Sequence, residues 1–214
     1  MKTNTKKLVL LAMLTAVSYM IVSLVRIPVV LFLSYEPKDV IITIGGFLMG
    51  PMASFVIALV VALIEMVTIS STGPIGCLMN LLSSSCFACT AAFVYKRNRR
   101  MSGAITGLAI GSAAMIAIML LWNYLITPLY MGVSREDVAG LLIPAFLPFN
   151  ALKAGFNSAL TLALYKPLVI ALRKTGLIDS RPGNASSSKA GTYLLAGGLL
   201  ITCILLLLVL KGIL

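Results

Sequence analysis

The chain has 214 residues, 60% of them hydrophobic, and a mean hydropathy of +1.06, which excludes an ordinary soluble domain, where roughly half the residues are apolar. Its length allows about six or seven membrane spans of roughly 20 residues and leaves no room for a soluble domain. The formal net charge is +11, but Lys and Arg cluster beside the apolar runs, as the positive-inside rule requires, and no basic patch with interleaved aromatics suggests nucleic acid.

The first predicted span covers residues 8–25. With Lys2, Lys6 and Lys7 before it, the segment mimics a signal peptide. The apolar run is longer than a typical h-region and no A-x-A site follows, so it reads as a retained helix. Arg26-Ile27-Pro28 ends it, and a mixed loop carries Tyr35-Glu36-Pro37-Lys38-Asp39. A short second span, 40–49, is broken by Gly50-Pro51, a helix stop followed by a new start. The third span is 53–69, and Ser70-Ser71-Thr72-Gly73-Pro74 is a turn-rich connector. The fourth, 75–95, closes on Lys96-Arg97-Asn98-Arg99-Arg100. The fifth is 103–127, followed by a loop with Arg135-Glu136-Asp137; the sixth is 147–172. A Gly/Ser-rich linker at 182–191 precedes a last span at 193–210.

With Lys2, Lys6 and Lys7 in the cytoplasm, threading these spans puts the 96–100 run and the basic 173–189 segment inside as well. The outside loops then carry only Arg26, Lys38 and Arg135, a consistent orientation. The expectation is an all-α membrane protein. A six-helix domain fills 1–175, a cytoplasmic linker 176–191, and an additional transmembrane helix 192–214.

Lys153 stands out because no other charge lies between Asp137 and Lys166. An ammonium in lipid costs on the order of 3 kcal/mol even on lenient insertion scales, so it is expected to face a cavity and a partner. Asn150, three positions earlier, falls on the same helical face. Two convergent polar groups on an apolar wall suggest a ligand site; the competing reading is an interhelical hydrogen bond that holds the bundle together. Glu65 is the one carboxylate expected within a span, where proton coupling and simple contact with water near a helix end are the alternatives.

The chemistry of catalysis is missing. There is no Walker-type phosphate loop, and without histidine neither an H-E-x-x-H metal site nor a Ser-His-Asp arrangement can form. Cys86-x-x-Cys89 lies in an apolar run with no second pair, so it reads, like Cys77 and Cys203, as small core residues. Small residues at spacing four, Ala12 and Ala16 on the first helix and Gly103, Gly107 and Gly111 on the fifth, let helix backbones approach closely, within the fold or against a partner chain.

Several segments carry a family resemblance: Leu33-Ser34-Tyr35-Glu36-Pro37-Lys38-Asp39, Gly45-Gly46-Phe47 with Gly50-Pro51, and Ser71-Thr72-Gly73-Pro74-Ile75-Gly76 with Asn80. Asn123-Tyr124 with Pro128-Leu129-Tyr130, and Pro148-Phe149-Asn150 with Lys153, are the more specific part. Over about residues 5–175 the chain resembles the riboflavin-specific substrate-binding (S) components of energy-coupling factor (ECF) vitamin transporters of bacteria. The resemblance implies a six-helix bundle with a deep pocket open to the outside. The vitamin would be held by Asn123, Asn150 and Lys153, under lids formed by 27–39 and 70–76, with Leu33, Tyr35, Thr72, Gly73 and Asn80 at the lid or pocket.

It also implies riboflavin as the transported ligand rather than a cofactor, and as partners a membrane T component carrying two ABC-type ATPase subunits. Ala12 and Ala16 would lie on the docking face. Glu65 departs from the neutral or basic residue expected in the third helix, and the 193–210 span lies beyond the six family helices. Three alternatives frame the reading: an S component for another vitamin, an ion-coupled secondary transporter using Glu65 and Lys153, and a membrane scaffold in which Lys153 only joins helices.

Overall fold

The computed structural model of the chain describes residues 2–31, 33–70, 72–174 and 189–210. The apolar N-terminal run folds as α1 (Lys2–Leu24), whose buried Thr15 satisfies its hydroxyl on the Leu11 carbonyl one turn back (2.8 Å). The segment expected as a mixed loop is instead an antiparallel hairpin, β1 (Ile27–Val30) and β2 (Leu33–Tyr35), with Ile27 opposite Tyr35. Its Ile-Pro-Val-Val strand is β-branched and too short to be seen by periodicity.

Lys38–Met49 forms α2 and Pro51–Thr68 forms α3. Gly50 between them has φ +102, a conformation open to glycine and strained for other residues, and Pro51 starts α3 at a position where its missing N–H costs nothing. The chain continues through α4 (Gly73–Arg97) and α5 (Met101–Met131). The Arg135-Glu136-Asp137 stretch, expected as loop, is α6 (Arg135–Leu141), capped by Ser134, which accepts from the Asp137 N–H. A π-helical turn (Leu142–Phe146) joins it to α7 (Leu147–Lys174), and α8 is Lys189–Leu210.

Six segments among the described residues are long and apolar enough to cross a membrane: α1, α3, α4, α5, the run Arg135–Leu172 and α8. With 12 residues, α2 is about 18 Å long, well under a hydrocarbon core of about 30 Å. It is also the most enclosed helix: Lys38 to Phe47 are all buried, because α1, α3, α4 and α7 pack around it. A short central helix lets its first residues end inside the bundle, beneath the hairpin.

The glycine row on α5 serves the fold itself. A Cβ on Gly107 would lie 2.7 Å from the Ala91 carbonyl oxygen, and one on Gly111 2.6 Å from that of Phe87, so α4 and α5 approach backbone to backbone. Ala12 and Ala16 on α1 are exposed. The additional helix α8 packs along α7 and touches β1; a Cβ on Gly155 would collide with Cys203. It therefore does not cover Ala12 and Ala16. Cys77 and Cys203 are buried and Cys86 and Cys89 half-buried, all as free thiols. Ser71 of the connector motif, and residues 175–188, which include most of the expected linker, lie outside the described residues.

Candidate ligand-binding site

Asn150, Lys153 and Asn157 follow one another at i, i+3 and i+7 on one face of α7. Lys153 is 5% exposed. Its Nζ lies 3.4 Å from Asp39 Oδ2 and donates to Ser83 Oγ at 3.2 Å. Asp39, at the buried start of α2, also accepts from Ser84 and from Asn157 Nδ2 (3.1 Å). Asn157 Oδ1 in turn accepts from the Tyr35 hydroxyl (3.1 Å). Burial, reinforced by the Asp39 charge, raises the Tyr35 phenol well above its ordinary value, so it stays a neutral donor. The partner expected for Lys153 is thus Asp39, supplied by a segment whose composition resembles a solvated turn.

A second charged group lies alongside. Lys38 Nζ is 2.7 Å from Glu36 Oε2 and 2.6 Å from Glu65 Oε2. Arg26 lies 2.8 Å from Glu36 Oε1 and also donates to the Ile69 carbonyl at 3.3 Å. Asn80 Nδ2 donates to Glu65 at 3.0 Å. Burial alone would raise the Glu36 pKa, but Lys38, Lys153 and Arg26 outweigh it and hold this carboxyl below the usual range. Two expectations are corrected here. Glu65 does not reach water: it is 1% exposed and bound to Lys38. Lys38 is not a loop cation, but the first residue of α2, fully buried between two carboxylates.

Between the hairpin, α4, α5 and α7 lies a cavity that opens to the surface, with about 710 Å³ of empty space counted out to its open mouth. Lys153, Asn150, Asn123, Asn80, Thr72 and Leu33 line it, as do Arg26, Ser34, Glu36 and Ser83; Met79, Met119 and Phe149 add apolar wall. An apolar slot lined by Trp122 and Tyr130 adjoins it and shares Thr72 and Met79. The structure thus brings together six of the eight residues expected at the binding site and its lids. Tyr35 stands one layer back, on Asn157. Gly73, at the first position of α4, is not part of the wall.

The state of the two asparagines is informative. Asn150 Nδ2 donates to the Phe146 carbonyl at the end of the π-helical turn (2.8 Å), which fixes the amide and leaves its oxygen as acceptor. Asn123 is fully buried and accepts from Thr127 at 3.0 Å, yet its Nδ2 has no hydrogen-bond partner. A buried amide donor without a partner costs about 1–3 kcal/mol, and here it borders a cavity. The wall offers a donor from Asn123, an acceptor from Asn150 and the Lys153 ammonium, an arrangement suited to a heterocycle edge that alternates donors and acceptors. Asp39, Glu36, Arg26 and Ser83 were missed as site residues; the signal for Asp39 was Lys153 itself, which demanded a countercharge.

A family model described as ECF transporter, substrate-specific component, matches residues 6–165; α8 lies beyond the matched stretch. The chain is 29% identical over 180 residues to the riboflavin transporter RibU of Staphylococcus aureus (strain TCH60), covering 80% of this chain and 94% of that protein. It is 26% identical over 162 residues to the riboflavin transporter FmnP of Bacillus subtilis (strain 168), covering 70% and 85%. Among solved structures it is similar to the S component of a bacterial ECF transporter, with a TM-score of 0.67 and 28% identity over 79% of this chain and 99% of that one.

Proposed function

The chain belongs to the substrate-specific components of ECF transporters, and we propose that riboflavin is the ligand it binds and presents for uptake. As a substrate-specific component it is a binding subunit of a membrane transporter, not an enzyme. The observation that carries the riboflavin reading is the unpartnered Asn123 amide donor on the same cavity wall as Asn150 and Lys153. The pyrimidine edge of a flavin offers carbonyl acceptors and an N–H donor that these three groups complement. The apolar wall of Met79, Met119 and Phe149 suits the fused ring. The similarity to two riboflavin transporters points the same way.

Transport itself requires an energy source that this chain does not supply. We assign that role to a membrane T component with two ABC-type ATPase subunits, docked on the exposed Ala12 and Ala16 of α1, where small side chains permit close helix contact. In this reading the chain resides in the cell membrane with a cytoplasmic N-terminus. The hairpin and the start of α4 cover the outward-facing cavity, and α8 is an accessory membrane helix joined to the 1–175 domain by a cytoplasmic linker. An ion-coupled mechanism through Glu65 and Lys153 has less support, because both groups are already bound by buried countercharges.

The test is purification of the chain alone in detergent and titration with riboflavin, read by quenching of flavin fluorescence. Saturable quenching at one ligand per chain, weakened by Lys153→Ala, is the expected result. A folded protein that does not quench riboflavin but binds another vitamin would keep the family and discard this ligand.

A further inference from the structure

Three consecutive residues of α7 lead from α8 to the cavity wall. Gly155 faces Cys203 of α8 so closely that a Cβ there would collide with the thiol. Phe156 packs on the Tyr35 ring, with centroids 5.1 Å apart. Asn157 accepts from the Tyr35 hydroxyl at 3.1 Å, donates to Asp39, and Asp39 faces Lys153. The Cys203 thiol also lies within electrostatic reach of Tyr35, and α8 packs against β1 as well as α7. One added helix thus touches both the hairpin over the cavity and the helix that bears Lys153.

The face of α8 turned inward is specific. Thr192, Ala196 and Cys203, at i, i+4 and i+11, share one side and are buried, while Leu194, Ile201 and Leu205 on the other are exposed. Ala196 belongs to the same buried cluster as Ala154 and Leu162 of α7. A membrane anchor needs only apolar surface; a thiol seated against a glycine fixes where α8 lies along α7, because close-packed interiors tolerate little change of volume. We infer that α8 takes part in ligand retention. Cys203, seated against Gly155, is a positioning residue that holds the hairpin on α7 and keeps the Tyr35–Asn157–Asp39–Lys153 chain closed behind the bound vitamin. This rests on the riboflavin reading above and extends it to a helix outside the stretch matched by the family model. Displacing α8 removes the backing of Tyr35, so the hairpin opens more often and the ligand escapes faster, with less effect on its arrival.

Riboflavin is loaded onto the purified full chain and its variants, and release on dilution is followed by the return of flavin fluorescence. Gly155→Val adds bulk where Cys203 sits. The double substitution Gly155→Val, Cys203→Gly moves that bulk from one helix to the other. Gly197→Val places the same side chain on α8 where nothing lies within 4 Å of a Cβ. Gly155→Val is expected to speed release by about tenfold while association changes far less. The double variant is expected to recover most of the parent rate, a coupling that contacting residues show, and Gly197→Val to keep it. A Gly155→Val protein that releases riboflavin at the parent rate, or a double variant as fast as Gly155→Val, overturns the assignment whatever happens to the unfolding temperature. Should Gly155→Val fail to fold, Cys203→Ala, which removes only the sulfur, carries the test: faster release supports the role and the parent rate overturns it. Failure of the unaltered chain to bind riboflavin at all would instead remove the underlying reading, and this one with it.

Discussion

The Arg26–Glu36–Lys38–Glu65 cluster and the Asn123–Asn150–Lys153 wall meet at one cavity and differ in how far their polar groups are satisfied. In the cluster, every charged group has a countercharge within 2.8 Å. In the wall, Asn123 keeps a buried donor with nothing to bind, and the Lys153–Asp39 contact is longer, at 3.4 Å. A saturated network holds the fold and offers nothing to a ligand. An unsaturated one sacrifices some stability of the empty protein, which a ligand restores when it supplies the missing partner.

The sharpest way to break this contrast is to damage the saturated side. Lys38→Met leaves Glu36 and Glu65 facing each other in the bundle interior without their shared cation. Removing one partner of a buried ion pair costs roughly 3–5 kcal/mol. Thermal unfolding in detergent should shift strongly downward or the variant should fail to fold. A Lys38→Met protein as stable as the parent would show that the cluster is not a structural element.

On the unsaturated side the effect is smaller and its signs cross. Asn123→Ala removes a donor that the empty protein cannot satisfy, so the ligand-free stability should hold or rise. Riboflavin affinity should fall by about 1–3 kcal/mol, roughly tenfold to a hundredfold. Lys153→Ala should weaken binding similarly but also destabilise, since Asp39 loses its cation. If Asn123→Ala lowers stability and leaves affinity unchanged, the asparagine belongs to the fold and the distinction between the two regions fails.

The two regions were also unequally legible in the sequence. Lys153 and Asn150 interrupt an apolar span, where each polar residue demands a reason, and the family resemblance added Asn123; all three line the cavity. The cluster was hidden because Glu36-Pro37-Lys38-Asp39 has the composition of a solvated turn, and only the hairpin and the short α2 carry it inside. Its burial is a tertiary fact: Glu65 arrives from α3, 27 positions beyond Lys38. The long helices and the Gly50-Pro51 break could be read from apolar run length and turn chemistry. The hairpin and the α6–π-turn segment could not, since strands of four and three residues and a seven-residue helix carry too little periodicity.

Acid should separate the regions by a further, smaller step. Glu36 is held below the ordinary carboxyl value of 4.5 in the folded state. A depressed folded pKa contributes stability that is fully present above the unfolded value and is lost as pH falls through the folded one. Unfolding temperature should therefore be insensitive to this group between about pH 7 and 5 and decline below about 4. Glu36→Gln should flatten that decline. An identical acid limb in parent and variant would mean that Glu36 gains nothing from Arg26 and Lys38.

A third region supplies the zero of this scale. Ala12 and Ala16 lie exposed on α1, outside the cavity lining and the charged cluster, and α8 leaves them uncovered. Replacing both by Leu changes no buried contact and adds only apolar surface to a lipid-facing helix. The isolated chain should then keep its unfolding temperature and its riboflavin affinity. Uptake driven by the T component and its ATPases should nevertheless be lost, because larger side chains at spacing four hold a partner helix away from the backbone. The informative measurement is the pair: binding by the purified subunit, and ATP-dependent uptake in vesicles containing the reconstituted complex. Uptake that survives the double substitution would move the docking face off these alanines. Lost binding would instead tie α1 to the cavity through α2, which packs against both α1 and the Lys153-bearing α7, and the separation of docking from binding would no longer hold.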